Sequence, residues 1–335
     1  MTQRPRVLIC ANPKTGLVWT QPDCAEKFQD IADVVQLDSN SVDEFFNDWD
    51  AKYKGVTAIY RHNDSVSAVG LFDKAFIDRL PASVKLIAHN GAGYDQIDVA
   101  AATARGIEVS HTPKAVDSAT ATVAAYLTLS ALRQFHRAET NVRAGKWKSG
   151  LVPALDPDQK VVGIVGMGGI GSAYARRMLA FDMKILYYNR REISPKPDFD
   201  CTYCSSLDEL LAQSDVVSLN LPLNDKTKGS FGREQFAKMK KGSVLVNTAR
   251  GGVVDEDALI DALESGHLFS AGLDVFPDEP NVNPRLIAND KITLLPHMGT
   301  ETKDTQRKME LLVLDNIASF IQGKGLLTQV PEQRQ

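Results

Sequence analysis

The 335 residues are enough for two domains, and 43% hydrophobic with 24% charged residues is the composition of a soluble globular protein. A net charge of −4 gives no basis for a nucleic-acid or anionic-membrane partner, so an anionic substrate has to be held by local positive groups. No apolar run has the length of a membrane span or a signal-peptide core, and the C-terminal Glu332-Gln333-Arg334-Gln335 is no targeting tripeptide, so a cytoplasmic protein is expected.

Arg6–Cys10 (RVLIC) reads as a first strand, with a helix after it over Asp23–Phe28. Val56–Tyr60, Val84–Ala88 and Ile107–Val109 read as further strands, with a helix at Leu71–Arg79. Strands alternating with helices predict a parallel sheet, so residues 1–112 form a small α/β domain. His89-Asn90-Gly91-Ala92-Gly93-Tyr94-Asp95 lies beyond a strand's carboxyl end, where such sheets bind ligands. Its small residues leave N–H groups open to a carboxylate, although a plain tight turn explains them equally well. Arg61 and His62 follow a strand and either line a pocket or sit in a solvated loop. Val116–Arg137 reads as one long apolar helix connecting two domains, and the loop Gly145–Pro157 carries Trp147, suited to a subunit contact or to local packing.

Residues 161–191 form the organising unit. A buried-type strand, Val161–Val165, runs into Gly166, Gly168 and Gly171 in G-x-G-x-x-G spacing, then a helical pattern and a second strand, Lys184–Tyr188. Gly166 permits the tight turn, Gly168 lets a pyrophosphate approach the backbone, and Gly171 lets helix and strand pack closely; the helix N-terminus offers its N–H groups to phosphate. An NAD site has an acidic residue about 20 positions past the glycines for the ribose 2′-hydroxyl. Here that place holds Asn189, followed by Arg190 and Arg191, which suits a 2′-phosphate and predicts NADPH, with NADH possible.

Cys201 and Cys204 make a C-x-x-C with no second ligand pair nearby, so a short strand is the better reading than a metal site. The alternation continues with helices at Leu207–Ala212, Gln235–Met239 and Asp255–Ser265, the last with an acidic first turn, and strands at Asp215–Asn220, Ser243–Asn247, Leu268–Asp274 and Ile292–Leu295. A final helical stretch from Thr300 to Ile321 is placed back on the first domain. Arg250, Glu279 and His297 each follow one of these strands, at the edge where a nicotinamide is expected. A guanidinium can clamp a carboxylate and polarise a carbonyl; a histidine can deliver a proton; a glutamate beside it favours the charged imidazole.

The motifs HNGAGYDQID (89–98), VVGIVGMGGIG (161–171), VSLNLPLNDKT (217–227), NTARGGVVDEDAL (247–259), AGLDVFPDEP (271–280) and LPHMGT (295–300) span nearly the whole chain. Together they resemble the D-isomer-specific 2-hydroxyacid dehydrogenase family, most of all its fungal glyoxylate reductase branch. The resemblance implies two Rossmann-like or flavodoxin-like parallel-sheet α/β domains with the active site in the interdomain cleft. The substrate domain would be residues 1–112 plus 301–335, and the dinucleotide-binding domain residues 113–300. It implies Arg250 as the substrate-binding and polarising arginine, His297 as the acid/base and Glu279 as its partner. The N–H groups of Ala92 and Gly93 would take the substrate carboxylate. Val116, Thr120, Gly166, Gly168, Gly169, Ile170, Gly171, Asn189, Arg190, Arg191, Pro222, Thr227, Thr248, Ala249, Asp274 and Gly299 would contact the cofactor, with Asp274 facing the carboxamide. Many members have arginine where this chain has Gly169, and glutamate where it has Thr122. The family implies a small 2-oxo acid substrate, glyoxylate or hydroxypyruvate, reduced with NADPH to glycolate or D-glycerate, and a homodimer joined through the nucleotide domain. A bulkier 2-oxo acid and a dinucleotide-sensing corepressor-like protein are the alternatives.

Overall fold

The computed structural model describes residues 4–334. The chain divides into two compact units: residues up to Val116 together with those from Thr302 onward, and Asp117–Glu301. In the first unit the strands are β1 (Arg6–Cys10), β2 (Asp33–Gln36), β3 (Val56–His62), β4 (Leu86–Asn90) and β5 (Glu108–Ser110). They form one parallel sheet in the order β2-β1-β3-β4-β5.

Successive side chains of a strand point to opposite faces, and here both faces are covered. Leu8, Ile59 and Ile87 pack with Phe45, Phe72 and Phe76 on one side. Val7, Ile9, Tyr60 and Leu86 pack on the other with Val313, Leu314 and Ile317 of the helix Lys303–Ile321. Double coverage is why these strands read as continuous apolar runs.

The second unit has seven strands: β6 (Val161–Val165), β7 (Lys184–Tyr188), β8 (Thr202–Tyr203), β9 (Val216–Leu219), β10 (Ser243–Asn247), β11 (Leu268–Leu273) and β12 (Ile292–Leu294). Their order is β12-β11-β10-β9-β6-β7-β8, all parallel. From β6 the chain winds outward first to one side and then, from β9, to the other. The crevice beyond β6 and β9 is therefore the switch point at which such sheets bind dinucleotides. Cys204 is buried just after β8 and all four cysteines are free thiols. Among the described residues no helix is long and apolar enough to cross a membrane.

Two expected elements differ, and three are additional. The single helix expected over Val116–Arg137 is two, Asp117–Arg133 and Phe135–Arg143, because Gln134 takes a left-handed conformation (φ 54°) that breaks the hydrogen-bond ladder. The helix expected from Leu71 starts at Lys74: Phe72 bridges to Ile97 as extended chain, and the Asp73 carboxylate caps the helix by accepting from the Phe76 N–H at 2.8 Å. The strand β2 and the helices Val42–Asn47 and Val99–Ala104 were not expected at all; β2 has only four residues and sits at the sheet edge, so its pattern is too short to read.

Candidate active site

The glycine turn is built by contacts that no side chain could share. Gly166 has φ 100°, and a Cβ there would stand 2.6 Å from the Asn220 carbonyl oxygen at the end of β9. A Cβ at Gly171 would stand 2.5 Å from the Gly166 carbonyl oxygen, so helix and turn touch directly. At Gly168 a Cβ would meet nothing within 4 Å. Two glycines are thus spent on the protein's own packing, and the middle one leaves open space at the N-terminus of the helix Gly169–Leu179, with Ile170 half-buried beside it.

Gly169 has a separate reason. A side chain there would run into the Asp117 carboxylate, whose Oδ2 lies 2.0 Å from the Cβ position. The space beside Gly169 is filled by the aspartate that starts the helix Asp117–Arg133. Sequence reasoning missed Asp117, because nothing in the spacing of residues 117 and 169 says that two helix starts converge.

After β7, the Asn189 side-chain oxygen accepts from the Met167 N–H at 2.8 Å and so ties the turn to the glycine loop. Arg190 and Arg191 follow on the surface, and among the described residues neither pairs with a carboxylate. Pro222 is exposed, and Thr227 is turned onto it, its hydroxyl donating to the Pro222 carbonyl at 2.6 Å. Thr248 is buried, and its hydroxyl has no protein partner. Val116 is buried in the first unit, whereas Thr120 belongs to the second and donates to the Gly299 carbonyl at 3.2 Å.

Arg250, Glu279 and His297 follow β10, β11 and β12, which are neighbours in the sheet, so their turns lie side by side. The Glu279 carboxylate accepts from the Phe276 N–H with one oxygen (2.8 Å) and meets His297 Nδ1 with the other (2.7 Å). A carboxylate only accepts, so Nδ1 carries the proton and Nε2 is the atom left for other chemistry. Burial pushes the Glu279 pKa up, but the bonds from His297 and Phe276, with the nearby charges of His297 and Arg250, bring it below the usual carboxylate value. One guanidinium nitrogen of Arg250 donates to the Ala249 carbonyl at 2.8 Å, and the Ala249 N–H donates to the Asn247 side chain at 3.0 Å.

Asp274 is only 1% exposed. Its two oxygens accept from the N–H groups of Met298 (2.6 Å) and Gly299 (2.9 Å), and its carbonyl accepts from the His297 N–H at 2.8 Å. His297 itself is left-handed, with φ 55°. Asp274 therefore clamps the strained turn that presents the imidazole. Burial pushes its pKa up, which the two N–H bonds and His297 oppose.

In the first unit, the turn after β4 has all three of its carbonyls turned inward. Gly91 accepts from the Thr112 N–H (2.9 Å), Ala92 from His111 Nδ1 (2.8 Å) and Gly93 from His89 Nε2 (2.9 Å). The N–H groups of Ala92 and Gly93 donate to nothing among the described residues. Two adjacent open N–H groups make an anion cradle. Burial lowers the His111 pKa from its ordinary value, which the bond to Ala92 opposes. Arg61 does not sit in a solvated loop: it is the penultimate residue of β3 rather than a residue after a strand, and it is fully buried. His62 ends that strand and caps the next turn by accepting from the Asp64 N–H at 3.1 Å.

Residues 125–299 match the D-isomer specific 2-hydroxyacid dehydrogenase NAD-binding domain. The chain belongs to the D-isomer-specific 2-hydroxyacid dehydrogenase family. It is 48% identical over 310 residues to 4-methyl-2-oxopentanoate reductase A of Aspergillus oryzae, covering 92% of this chain and 94% of that one. It superposes on a glyoxylate reductase from Paecilomyes thermophila with a TM-score of 0.94 and 47% identity over the whole of both chains. An NADPH-dependent glyoxylate/hydroxypyruvate reductase from Sinorhizobium meliloti, solved with NADP and malonate, is similar at a TM-score of 0.83 and 31% identity, with 98% of each chain covered. This dehydrogenase is therefore an oxidoreductase using a nicotinamide dinucleotide, and its relatives act on 2-oxo and 2-hydroxy acids. The open space at Gly168 and the orphaned Thr248 hydroxyl fit such a cofactor.

Proposed function

We propose that this dehydrogenase reduces small 2-oxo acids, glyoxylate first and hydroxypyruvate second, and prefers NADPH to NADH. The observation that carries the cofactor choice is the turn after β7. The acid that would repel a 2′-phosphate is replaced by an asparagine already occupied with the Met167 N–H, and two exposed guanidinium groups, without carboxylate partners among the described residues, follow it. The 168–171 helix start, Thr248, Pro222, Thr227 and Thr120 are assigned to the cofactor, which makes Asp117–Glu301 the dinucleotide unit and the other the substrate unit.

When bound, NADPH supplies the hydride that goes to the carbonyl carbon. Arg250 binds the substrate carboxylate and draws charge onto the carbonyl oxygen. His297 donates a proton to that oxygen from Nε2, while Glu279 keeps Nδ1 protonated and stabilises the charged imidazole. The open N–H groups of Ala92 and Gly93 are also assigned to the carboxylate. A homodimer joined through the second unit belongs to the same reading, and Val142, Trp147 (71%) and Val152 are exposed apolar side chains of that unit.

The test is initial-rate reduction of glyoxylate with NADPH and, in parallel, NADH. Rapid oxidation of NADPH with little NADH activity is expected; a clear NADH preference overturns the 2′-phosphate assignment. The Aspergillus relative's name supports a second reading, a bulkier 2-oxo acid. Higher kcat/KM for 2-oxoisocaproate or phenylpyruvate than for glyoxylate would establish it.

A further inference from the structure

The carboxylate cradle depends on N–H groups that face outward because the neighbouring carbonyls are held inward. One of those carbonyls is held by a chain of groups that the reaction itself does not use. His89 lies in β4, is 1% exposed, and sits beneath the turn. A Cβ on Gly91 would stand 2.4 Å from its Nε2, so the turn closes over the imidazole only with glycine at that position. Nε2 meets the Gly93 carbonyl at 2.9 Å.

Beside it in the same sheet is Arg61, the β3 residue paired directly with His89 in the register. One nitrogen of its guanidinium donates to His89 Nδ1 (3.2 Å) and to the Asn63 side chain (2.7 Å), and the other donates to Gln96. The Phe72 ring lies 5.6 Å from the guanidinium carbon. Burial lowers the Arg61 pKa to about 10, opposed by Cys10 and Asp95, so the group is charged at neutral pH. A guanidinium has donors and no acceptor. His89 Nδ1 must then offer a lone pair, which puts the ring proton on Nε2, the atom that faces the Gly93 carbonyl. Burying an arginine is costly, and a glycine turn alone would not require it.

We infer that Arg61 is a positioning residue for the substrate carboxylate: it sets the His89 tautomer, and His89 holds the Gly93 carbonyl inward so that the Ala92 and Gly93 N–H groups face the ligand. The inference rests on the proposed assignment of that turn to the carboxylate.

The decisive pair is His89→Phe against His89→Gln. Phenylalanine fills the space without a donor. Glutamine can accept from Arg61 and donate to Gly93. His89→Phe is expected to raise the KM for the 2-oxo acid about tenfold, the scale of one lost hydrogen bond. The NADPH Kd, read by quenching of protein fluorescence, stays at the wild-type value. His89→Gln recovers most of the loss. Arg61→Met shifts KM in the same direction, and Arg61→Met/His89→Phe is no worse than His89→Phe alone, because the two act in one chain. An unchanged KM in folded His89→Phe, equal losses for the Phe and Gln variants, or multiplying losses in the double variant would each overturn the inference. If either Phe or Met variant fails to fold, the other variant and His89→Gln carry the same comparison. Oxalate, a dicarboxylate with no reducible carbonyl, separates this inference from the choice of substrate. A weaker oxalate Ki in His89→Phe, whichever 2-oxo acid is reduced, supports the cradle even if glyoxylate is not the substrate. An oxalate Ki that stays the same rejects it even if glyoxylate is.

Discussion

Replacing both Arg190 and Arg191 by alanine probes the cofactor assignment where its energetics are simplest. Both side chains are exposed and, among the described residues, neither holds a carboxylate, so their loss leaves no buried partner there unsatisfied. The glycine loop stays anchored, because its tie is the Asn189–Met167 bond at 2.8 Å. At 4 Å a pair of unit charges is worth about 1 kcal/mol in bulk water and about 4 kcal/mol at the effective dielectric of a protein surface. Exposure argues for the lower end, so two contacts to a 2′-phosphate come to about 2 kcal/mol, or about a 30-fold rise in the NADPH Kd. NADH has only a hydroxyl there, and its Kd should change less than about threefold. The assay is fluorescence titration of wild type and variant with each cofactor at two ionic strengths. The wild-type advantage for NADPH should shrink at high salt, because exposed charges are screened. Equal losses for the two cofactors, or no loss for either, would refute the 2′-phosphate reading.

Three further outcomes are expected. His297→Asn should lower the rate of reduction by about 10²- to 10⁴-fold, the usual worth of a general acid, with the NADPH Kd kept; stopped-flow turnover checks this, and near-normal rates would remove His297 from the chemistry. Gly169→Ala should weaken NADPH binding, because its Cβ meets the Asp117 carboxylate, and Asp117→Ala in the same chain should restore it; a loss that the second change leaves untouched would assign it to something other than this clash. The lowered Glu279 pKa gives a pH signature. Because the folded value lies below the ordinary 4.5, the ionised carboxylate stabilises the fold fully above that value. That stabilisation is lost as pH falls through the lowered folded pKa. Urea unfolding of wild type and Glu279→Gln should therefore show a difference at pH 7 that closes in acid, and a constant difference would rule the linkage out.

Local patterns carried much of the information about this molecule. The three glycines, the apolar strands around them and the polar residues at strand ends are readable because each depends on a few consecutive residues: a turn that needs φ above zero, a strand covered on both faces, a side chain placed just past β10, β11 or β12. The family motifs added roles to those positions. The kink at Gln134, the late helix start at Lys74 and the edge strand β2 were not readable, since single-residue dihedrals and short edge pairings leave no periodic trace.

What only the tertiary structure decided lies deeper. Arg61 and His89 are 28 residues apart, and they meet because β3 and β4 pair in one particular register. Asp117 and Gly169 meet because two helices begin at the same place. Asp274, a candidate cofactor contact, also holds the turn of His297, because β11 and β12 are neighbours. Sequence sets what each residue can do chemically and how its own few neighbours fold. Which distant residues share a hydrogen bond depends on strand register and helix packing, and those are set by the burial of both sheet faces at once.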